Sequence, residues 1–464
     1  MLALAMMRAG TTLLSPPEMG KVSLVVATAG FFTLFLINPV GMFINRRLHA
    51  WYFSGAAKYY LWRYSLYLVF IAFIAAILVA LLNVDNILSI GISLPWLITL
   101  VCGSLIINTI NQTSIPSLNM LGFSKEFLVL SLATTLASFI GAILLASAIE
   151  LSAQYWLLGI LFGQAIFAFL GSKVLCDKLQ TKSLVYAPLG ISRQNLNNLF
   201  HFAWPVSIAA GLGWAQSQGY RYLMGDQLGL MQLGLFVAGY GISAGIIAAF
   251  ESILTTYFQP MLYRDANTIS ASNQAQAWNR YAVVVIPSLL LTAAFVIATS
   301  SELTQLLLGP NFQGASNFVI WGALAELSRA LVGVYTLIAH IFTRTRMLII
   351  PGLIGAIFSV GLCVILVPTY GGVGAGIGLA VSGFLMLLIF HILFVKNVGG
   401  VVCSSKILVA ILFSLIMWVV SNLFHYFIEN TTWIITIEFL GFMGLIYLSM
   451  QYYFLQEHLK MGGA

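Results

Sequence analysis

The stretch "FLINPVGMFINRRLHAW", residues 35–51, indicates that this chain lies in a membrane. It is an apolar run that contains Asn38 and Pro39 and then ends abruptly at Asn45, Arg46 and Arg47. A charged side chain is costly at the centre of a bilayer, so two arginines at the end of an apolar run indicate a membrane surface. We interpret the run as a transmembrane helix, with Asn45, Arg46 and Arg47 as its anchor or gate at that surface.

Composition extends this interpretation to the whole chain. Of the 464 residues, 60% are hydrophobic and only 7% are charged, too few charges to cover a soluble globule of this size. Apolar runs of about 18 to 25 residues recur along the whole sequence, the length that a helix needs to cross hydrocarbon. The sequence therefore predicts an all-α polytopic membrane protein. The basic residues form no stripe or patch, so membrane topology explains the formal charge of +7 better than a nucleic-acid partner does.

Hydropathy predicts about fourteen transmembrane helices. They lie at 1–14, 20–44, 61–83, 93–115, 127–149, 154–175, 199–222, 229–257, 281–303, 316–339, 348–368, 374–395, 407–427 and 434–456. The first is short for a full crossing. Gly and Pro punctuation in "VPTYGGVGAGIG" predicts a tight outer turn between the eleventh and twelfth spans.

The distribution of lysine and arginine predicts the orientation. Most of the 20 lysines and arginines fall in loops on one side, whereas the other side receives little more than Lys21 and Arg221. Because cytoplasmic loops are enriched in basic residues, both termini are placed in the cytoplasm, with Arg46 and Arg47 on that side. The longest connections, 176–198 and 258–280, are too short to fold as separate domains. The four cysteines lie far apart and indicate neither a disulfide framework nor a metal site.

A faint internal repeat relates two parts of the chain. Arg8 precedes Gly20 near the start, and Arg221 precedes Gly234 in "RYLMGDQLGLMQLGLFVAGYG". Each copy joins an arginine-bearing span through a short outer loop to a span that opens with glycine. Six spans separate the copies, so an axis along the membrane normal would relate the two halves.

Charged side chains inside spans are few, and each is expected to face a cavity or a partner. They are Arg8, Arg221, Glu251, Glu326, Arg329 and Glu438. Glu326 and Arg329, three residues apart, share a helical face. They form either an internal ion pair that lets the span pack or a cavity-lining pair that opens for an anionic group. Glu251 has no opposite charge nearby in the sequence and is interpreted as either a neutral core carboxylic acid or a proton-coupling site.

The seventh span is unusually polar. An amide, aromatic and guanidinium mixture lies in its outer half, formed by Trp214, Gln216, Gln218, Tyr220, Arg221 and Tyr222. Such groups suit sugar hydroxyls and phosphate oxygens. An aromatic belt with one snorkelling arginine is the alternative, and it accounts for the tyrosines but not for the glutamines. Asn38 beside Pro39 favours either a bent helix that lines a wet cavity or a packing kink with amide bonds between helices.

Several motifs together resemble one family. They are "LLSPPEMGKVSL", "INPVGMFINRRLHAW", "WPVSIAAGLGWAQSQGYRYLMG", "LGLFVAGYGIS", "LLLGPNFQGAS" and "VPTYGGVGAGIG". In order and spacing the chain resembles the lipid-linked oligosaccharide flippase branch, the polysaccharide or O-antigen type, of the multidrug/oligosaccharidyl-lipid/polysaccharide (MOP) exporter superfamily. The resemblance implies two pseudo-symmetric six-helix lobes in a V around a central cavity, with two added C-terminal helices. The expected parts are an N-terminal lobe with a cytoplasmic linker at 1–198, a C-terminal lobe at 199–396, and two spans with a short cytoplasmic tail at 397–464.

The resemblance also implies a function. The chain would move an undecaprenyl-pyrophosphate-linked oligosaccharide from the cytoplasmic to the periplasmic leaflet of the bacterial inner membrane by alternating access, coupled to a cation gradient. Arg8, Arg221 and Arg329 would bind the pyrophosphate, although Thr12 stands where many relatives have a further arginine. Asn38, Trp214, Gln216 and Gln218 would contact sugars, and Glu251 or Glu326 would couple to the ion.

Partners, cofactors and alternatives complete these expectations. Membrane lipids, a polysaccharide polymerase and a chain-length regulator are the implied partners, and no cofactor is expected. Signatures of nucleotide-sugar, Walker or nucleophile-elbow enzymes are missing from the sequence. A drug or cation antiporter of the same superfamily is the first alternative, though acidic and basic residues inside the spans are similar in number. A polysaccharide polymerase or ligase is the second, which the short outer loops disfavour.

Overall fold

The structure is a computed structural model that describes residues 2–84, 90–180, 193–267, 271–342 and 345–398, with 408–413, 415–416, 419 and 441–444 nearer the C-terminus. Within these residues every regular element is a helix. The predicted all-α polytopic fold is confirmed. The predicted spans 407–427 and 434–456 lie largely outside the described residues, and so does Glu438.

The chain divides into two compact units, Met1–Gly234 and Leu235–Ala464. The helices that begin in the first unit are α1 Leu2–Leu13, α2 Pro16–Phe32, α3 Asn38–Phe53, α4 Ala57–Val84, α5 Leu94–Gly103, α6 Thr109–Met120, α7 Ser124–Ala148, α8 Ala153–Gln180, α9 Arg193–Gln218, α10 Tyr220–Gln227 and α11 Gly229–Asn267. The second unit contains most of α11 and α12 Ala271–Ala298, α13 Ser300–Leu307, α14 Ser316–Ile341 and α15 Ile349–Val398. The predicted lobe boundary after residue 198 and the V arrangement stay predictions.

Nine helical segments in the described part of the chain are long and apolar enough to cross a membrane. They carry ten of the predicted spans, because the eleventh and twelfth both fall within Ile349–Phe394. Gly371 separates those two, with φ 60° and ψ −141° inside α15. An L-residue with a side chain rarely adopts this conformation, so the glycine allows the turn predicted in "VPTYGGVGAGIG". The predicted first span corresponds to α1, which has only 12 residues.

The helix of the second predicted span is irregular next to Pro39. A π-helical turn, Thr33–Ile37, precedes α3, and the backbone N–H of Asn38 donates to the carbonyl of Thr33. Proline has no N–H, so the helix cannot keep its regular hydrogen bonds here. The hydroxyl of Tyr67, on α4, donates to the carbonyl of Leu36 at 2.8 Å. A neighbouring helix thus satisfies a carbonyl beside the interruption, as membrane helices require.

The glycines of the internal repeat meet in the first unit. A Cβ on Gly20 would lie 3.1 Å from the carbonyl carbon of Leu230, at the start of α11. A Cβ on Gly234 would lie 2.7 Å from the carbonyl carbon of Pro16 and 3.1 Å from the nitrogen of Gly20. Small residues let helix backbones approach this closely in membrane proteins. The Gly20–Gly234 crossing therefore fixes the start of α2 against the start of α11.

This crossing generates the first prediction. Gly234→Ala should lower the thermal unfolding midpoint of the detergent-purified protein, because the added methyl meets backbone that no side-chain rotation can clear; overpacking of this kind costs about 1–3 kcal/mol. Gly213→Ala is the matched control, since a Cβ on that helical glycine meets no atom within 4 Å. Equal midpoints for the two variants would contradict the proposed role of the crossing.

Candidate functional site

Arg221 lies at the start of α10, in the first unit, and is half-buried. Its Nη1 donates to the carbonyl of Ser23, on α2, at 3.1 Å, and its Nε donates to the hydroxyl of Tyr220 at 3.3 Å. Among the described residues, no carboxylate oxygen lies within 4.0 Å of its guanidinium nitrogens. Neutral partners hold this guanidinium in place, and no ion pair with another described residue neutralises its charge.

Aromatic groups next to Arg221 also bond to α2. The indole N–H of Trp214 donates to the carbonyl of Ala27 at 3.0 Å, and the hydroxyls of Tyr222 and Thr28 lie 2.9 Å apart. The rings of Trp214 and Tyr222 are neighbours, 5.9 Å between centroids. We call Trp214, Tyr220, Arg221 and Tyr222 the Arg221 cluster. Trp214, Arg221 and Tyr222 each bond to α2, which fixes where the guanidinium lies.

The other residues predicted to meet the sugar or the pyrophosphate lie on α9, α3 and α1. Gln216 and Gln218 are half-buried on the last turn of α9, and Asn38 is exposed at the start of α3. Arg8 is exposed on α1. The hydroxyl of Thr12 donates to the carbonyl of Arg8 at 2.7 Å, so Thr12 bonds within its own helix.

The second unit contains an ion-pair network on α11 and α14. Arg329 donates through Nε to Oε2 of Glu326 and through Nη2 to Oε2 of Glu251, both at 2.6 Å. The hydroxyl of Tyr240 donates to Oε1 of Glu326. We call Glu251, Glu326 and Arg329 the carboxylate triad. The predicted pairing of Glu326 with Arg329 is present, and Glu251, which has no opposite charge nearby in the sequence, gains one from a helix 78 residues away.

Exposure differs across the triad. The side chain of Glu326 is only 8% exposed, that of Glu251 is 21% exposed and that of Arg329 is 46% exposed. With both carboxylates ionised the group carries a net charge of −1. Arg329 is thus already occupied by two carboxylates, and an anionic ligand would have to compete with both for it. Gly333 leaves room beside Glu251, because a Cβ there would lie 3.3 Å from its Oε1.

The three residues predicted to form a surface anchor lie near the end of α3. Asn45 and Arg46 are exposed, while Arg47 is half-buried. The Cζ of Arg46 lies 5.5 Å from the ring centroid of Phe202, on α9, and that of Arg47 lies 4.2 Å from the ring centroid of Phe43. Both guanidiniums rest on aromatic rings, an arrangement that supports a cation while leaving its donors available.

Sequence reasoning missed two residues of structural importance. Tyr240 donates to Glu326, although 86 residues separate them and no local pattern connects them. Glu18 in "SPPEMG" accepts from Lys21 Nζ at 2.6 Å and from the backbone N–H of Ala153, at the start of α8, at 2.7 Å. The Ser-x-x-Glu spacing before an apolar run is a helix-start signal, but here the carboxylate serves the N-terminus of a different helix as well.

Comparison with known proteins rests on structure. No protein-family model and no curated protein matches the chain. A solved structure of the lipid II flippase MurJ, in an inward closed conformation, matches with a TM-score of 0.62 over 96% of this chain and 98% of its own, at 15% identity. An inward-facing multidrug resistance MATE family transporter matches with a TM-score of 0.66 over 86% of this chain and 93% of its own, at 13% identity.

The chain has the fold of MOP-superfamily transporters. An outward-facing multidrug resistance MATE family transporter also matches, with a TM-score of 0.55 over 86% of this chain and 91% of its own, at 13% identity. The MOP fold is thus shared with a flippase and with drug transporters, and identity this low carries the fold alone. Function has to be argued from the Arg221 cluster and the carboxylate triad.

The triad yields the second prediction. Arg329→Gln should lower the free energy of unfolding by about 2 kcal/mol or more, because it leaves the buried Glu326 carboxylate without its charged partner. Glu326→Gln combined with Arg329→Gln should recover part of the loss, since the buried charge is then removed as well. Denaturant or thermal unfolding of the purified variants provides the double-mutant cycle. Additive losses in the double variant would show that the two side chains are not energetically coupled.

Proposed function

We propose that the chain is a flippase that moves an undecaprenyl-pyrophosphate-linked oligosaccharide from the cytoplasmic to the periplasmic leaflet of the bacterial inner membrane. The observation that carries the proposal is Arg221, a half-buried guanidinium held by a carbonyl and a hydroxyl with no carboxylate against it in the described part of the chain. The chain shares its fold with a protein named as a lipid II flippase, and this supports a lipid-linked substrate.

The chemistry of the substrate explains why such an arginine is needed. A pyrophosphate is too strongly hydrated to enter hydrocarbon unaided, since burying an unpaired charge is very costly. An arginine offers a planar set of donors that match phosphate oxygens, and these hydrogen bonds are stronger when both partners are charged. Arg221 is proposed as the principal pyrophosphate ligand. Arg8 is proposed as a second one, and Arg329 as a third only when its carboxylates release it.

The sugar is proposed to meet the aromatic and amide groups near Arg221. Trp214 has its indole N–H committed to Ala27, so its contribution is a ring that a sugar can pack against. Gln216 and Gln218 supply amide donors and acceptors one helical turn or less away on α9, and Asn38 supplies another on α3. The identity of the sugar unit would follow from how these groups match its hydroxyls.

The carboxylate triad is proposed to couple transport to a cation gradient. A proton or a sodium ion that binds Glu251 or Glu326 removes one competitor for Arg329 and shifts the net charge of the triad from −1 to zero. Arg329, still paired with the other carboxylate, then meets less competition for an anionic headgroup. In this order of events, ion binding changes the affinity of one unit for the substrate through electrostatics. Coupled transport requires such a link between ion binding and substrate binding.

A second candidate is a MATE-like drug or cation antiporter. The triad favours it, because two carboxylates on one arginine leave a net negative charge that suits a cationic substrate. A MOP fold shared with multidrug transporters is compatible with it. Resistance of a deletion strain to cationic drugs, compared with its surface glycan, separates the two. A polysaccharide polymerase or ligase would instead change the chain length of the glycan while leaving single units on the surface.

The proposal includes further expectations about the setting of the protein. It is a transporter and not an enzyme, it needs no cofactor, and both termini lie in the cytoplasm. A polysaccharide polymerase and a chain-length regulator are its proposed partners. The lobes are proposed as 1–198 and 199–396, with 397–464 as the added part.

The third prediction tests Arg221. Cells that carry Arg221→Ala should display at least about tenfold less surface polysaccharide at equal protein level, because one charge-assisted hydrogen-bonded group contributes about 1.5–3 kcal/mol. Arg264→Ala should leave display unchanged, since the side chain of that arginine is 75% exposed on α11. Normal display by Arg221→Ala cells would contradict the proposed pyrophosphate role.

The fourth prediction tests coupling. Proteoliposomes that contain the wild-type protein and a labelled polyprenyl-pyrophosphate oligosaccharide should flip it faster under an imposed proton or sodium gradient. Glu251→Gln combined with Glu326→Gln should make flipping insensitive to the gradient, because neither neutral amide changes charge on ion binding. A wild-type rate that ignores both gradients would remove the coupling role of the triad while leaving the Arg221 proposal intact.

A further inference from the structure

A cavity of about 280 Å³ lies between α3 and α4 in the first unit. It shares no lining residue with the Arg221 cluster or the carboxylate triad. Arginine and aromatic side chains form much of its lining: Arg47, Trp51, Tyr60, Arg63, Tyr64 and Tyr67. We call it the α3–α4 pocket. On each helix these residues recur every three or four positions, so each helix turns one continuous face toward the pocket.

Neither arginine of the pocket has an acidic partner within the described ranges. In the described part of the chain no carboxylate oxygen lies within 4.0 Å of the guanidinium nitrogens of Arg47 or Arg63. The Nε of Arg63 is buried and has no hydrogen-bond partner among the residues that the structure describes, and neither has the hydroxyl of the nearby Tyr59. Buried donors are nearly always satisfied in native proteins, so a buried charged donor without a partner points to a ligand.

The excess of basic residues around the pocket also favours an anionic ligand. Residues 19–84 contain no aspartate or glutamate, whereas the α3–α4 hairpin contains Arg46, Arg47, Lys58 and Arg63. The distribution of basic residues places this hairpin at the cytoplasmic surface. Aromatic rings form the walls, with Trp51 and Tyr60 stacked at 4.1 Å between centroids. A basic pocket between transmembrane helices on the cytoplasmic side is a typical receptor for anionic lipid headgroups.

We propose that the α3–α4 pocket binds the phosphate of a membrane lipid headgroup from the cytoplasmic leaflet. Arg47 and Arg63 would donate to the phosphate oxygens, and the aromatic and aliphatic walls would hold the glycerol or the first carbons of the lipid chain. The inference does not depend on the proposed transport, because the same site would serve any protein with this hairpin. A phospholipid and a polyprenyl pyrophosphate share this chemistry, and the experiment below distinguishes them.

The test is a binding titration of purified, delipidated full-length protein followed by native mass spectrometry. The probes are phosphatidylglycerol, phosphatidylcholine with the same acyl chains, undecaprenyl pyrophosphate and inorganic pyrophosphate. The variant is Arg47→Gln with Arg63→Gln. The matched control is Arg46→Gln, which removes the adjacent arginine but leaves the lining intact, since Arg46 is exposed and rests on Phe202.

Phosphatidylglycerol is expected to bind the wild type and Arg46→Gln at least about tenfold more tightly than it binds the double variant, given about 1.5–3 kcal/mol for each charge-assisted contact. Phosphatidylcholine should not distinguish the three proteins to this extent. Tighter binding of undecaprenyl pyrophosphate than of phosphatidylglycerol, lost in the same variant, supports the phosphate chemistry and assigns the site to the polyprenyl lipid.

Three outcomes would overturn the proposal. They are equal phosphatidylglycerol affinity in the wild type and the double variant, an equal loss in Arg46→Gln, and binding of inorganic pyrophosphate without binding of either lipid. If the double variant does not fold, Arg47→Gln alone provides the comparison, because Arg47 is half-buried and rests on the ring of Phe43.

Discussion

A polar or charged group within a bilayer has to find its partner inside the protein, and much of this structure follows from that requirement. The carbonyl of Leu36, beside the interruption at Pro39, accepts a hydrogen bond from Tyr67 on α4. Glu326 is buried at 8% exposure because Arg329 and Tyr240 both donate to it. The N-terminus of α8 receives the carboxylate of Glu18. In each case the partner comes from a nearby turn or a neighbouring helix, so helix packing and polar satisfaction are set together.

The two units hold Arg221 and Arg329 with different kinds of partner. In the first unit Arg221 is held by a carbonyl and a hydroxyl, which orient the guanidinium and leave its charge available. In the second unit Arg329 is held by two carboxylates, which reverse the sign of the local charge. One arrangement suits an anion, and the other suits a cation or a proton. A transporter that exchanges one for the other needs both kinds of site, and this is why the proposed function assigns them separate roles.

Much of the fold could be predicted because hydropathy and the glycines and prolines at helix ends are local signals. The apolar runs predicted the helices, and "VPTYGGVGAGIG" predicted the turn that Gly371 makes. The i,i+3 spacing of Glu326 and Arg329 predicted their contact, because three residues set two side chains on one helical face. The contacts of Glu251 and Tyr240 could not be predicted, because they depend on how α11 and α14 pack. The contacting residues are 78 and 86 positions apart, and no local pattern indicates that they meet. The repeat of Gly20 and Gly234 was visible, but only the structure places the two glycines against each other.

The π-helical turn at Thr33–Ile37 has a consequence for how the chain can vary. Such a turn accommodates one more residue than an α-helix of the same rise. It therefore acts as a one-residue insertion that changes the direction in which all later side chains of the helix point. Removing a single residue there would let a regular helix run through and would rotate the following segment by about 100° about its axis. Arg47 would then swing away from α4, while the hydropathy of the span would hardly change. Related sequences that differ in length at this point could therefore keep the same membrane topology and present a different cationic surface.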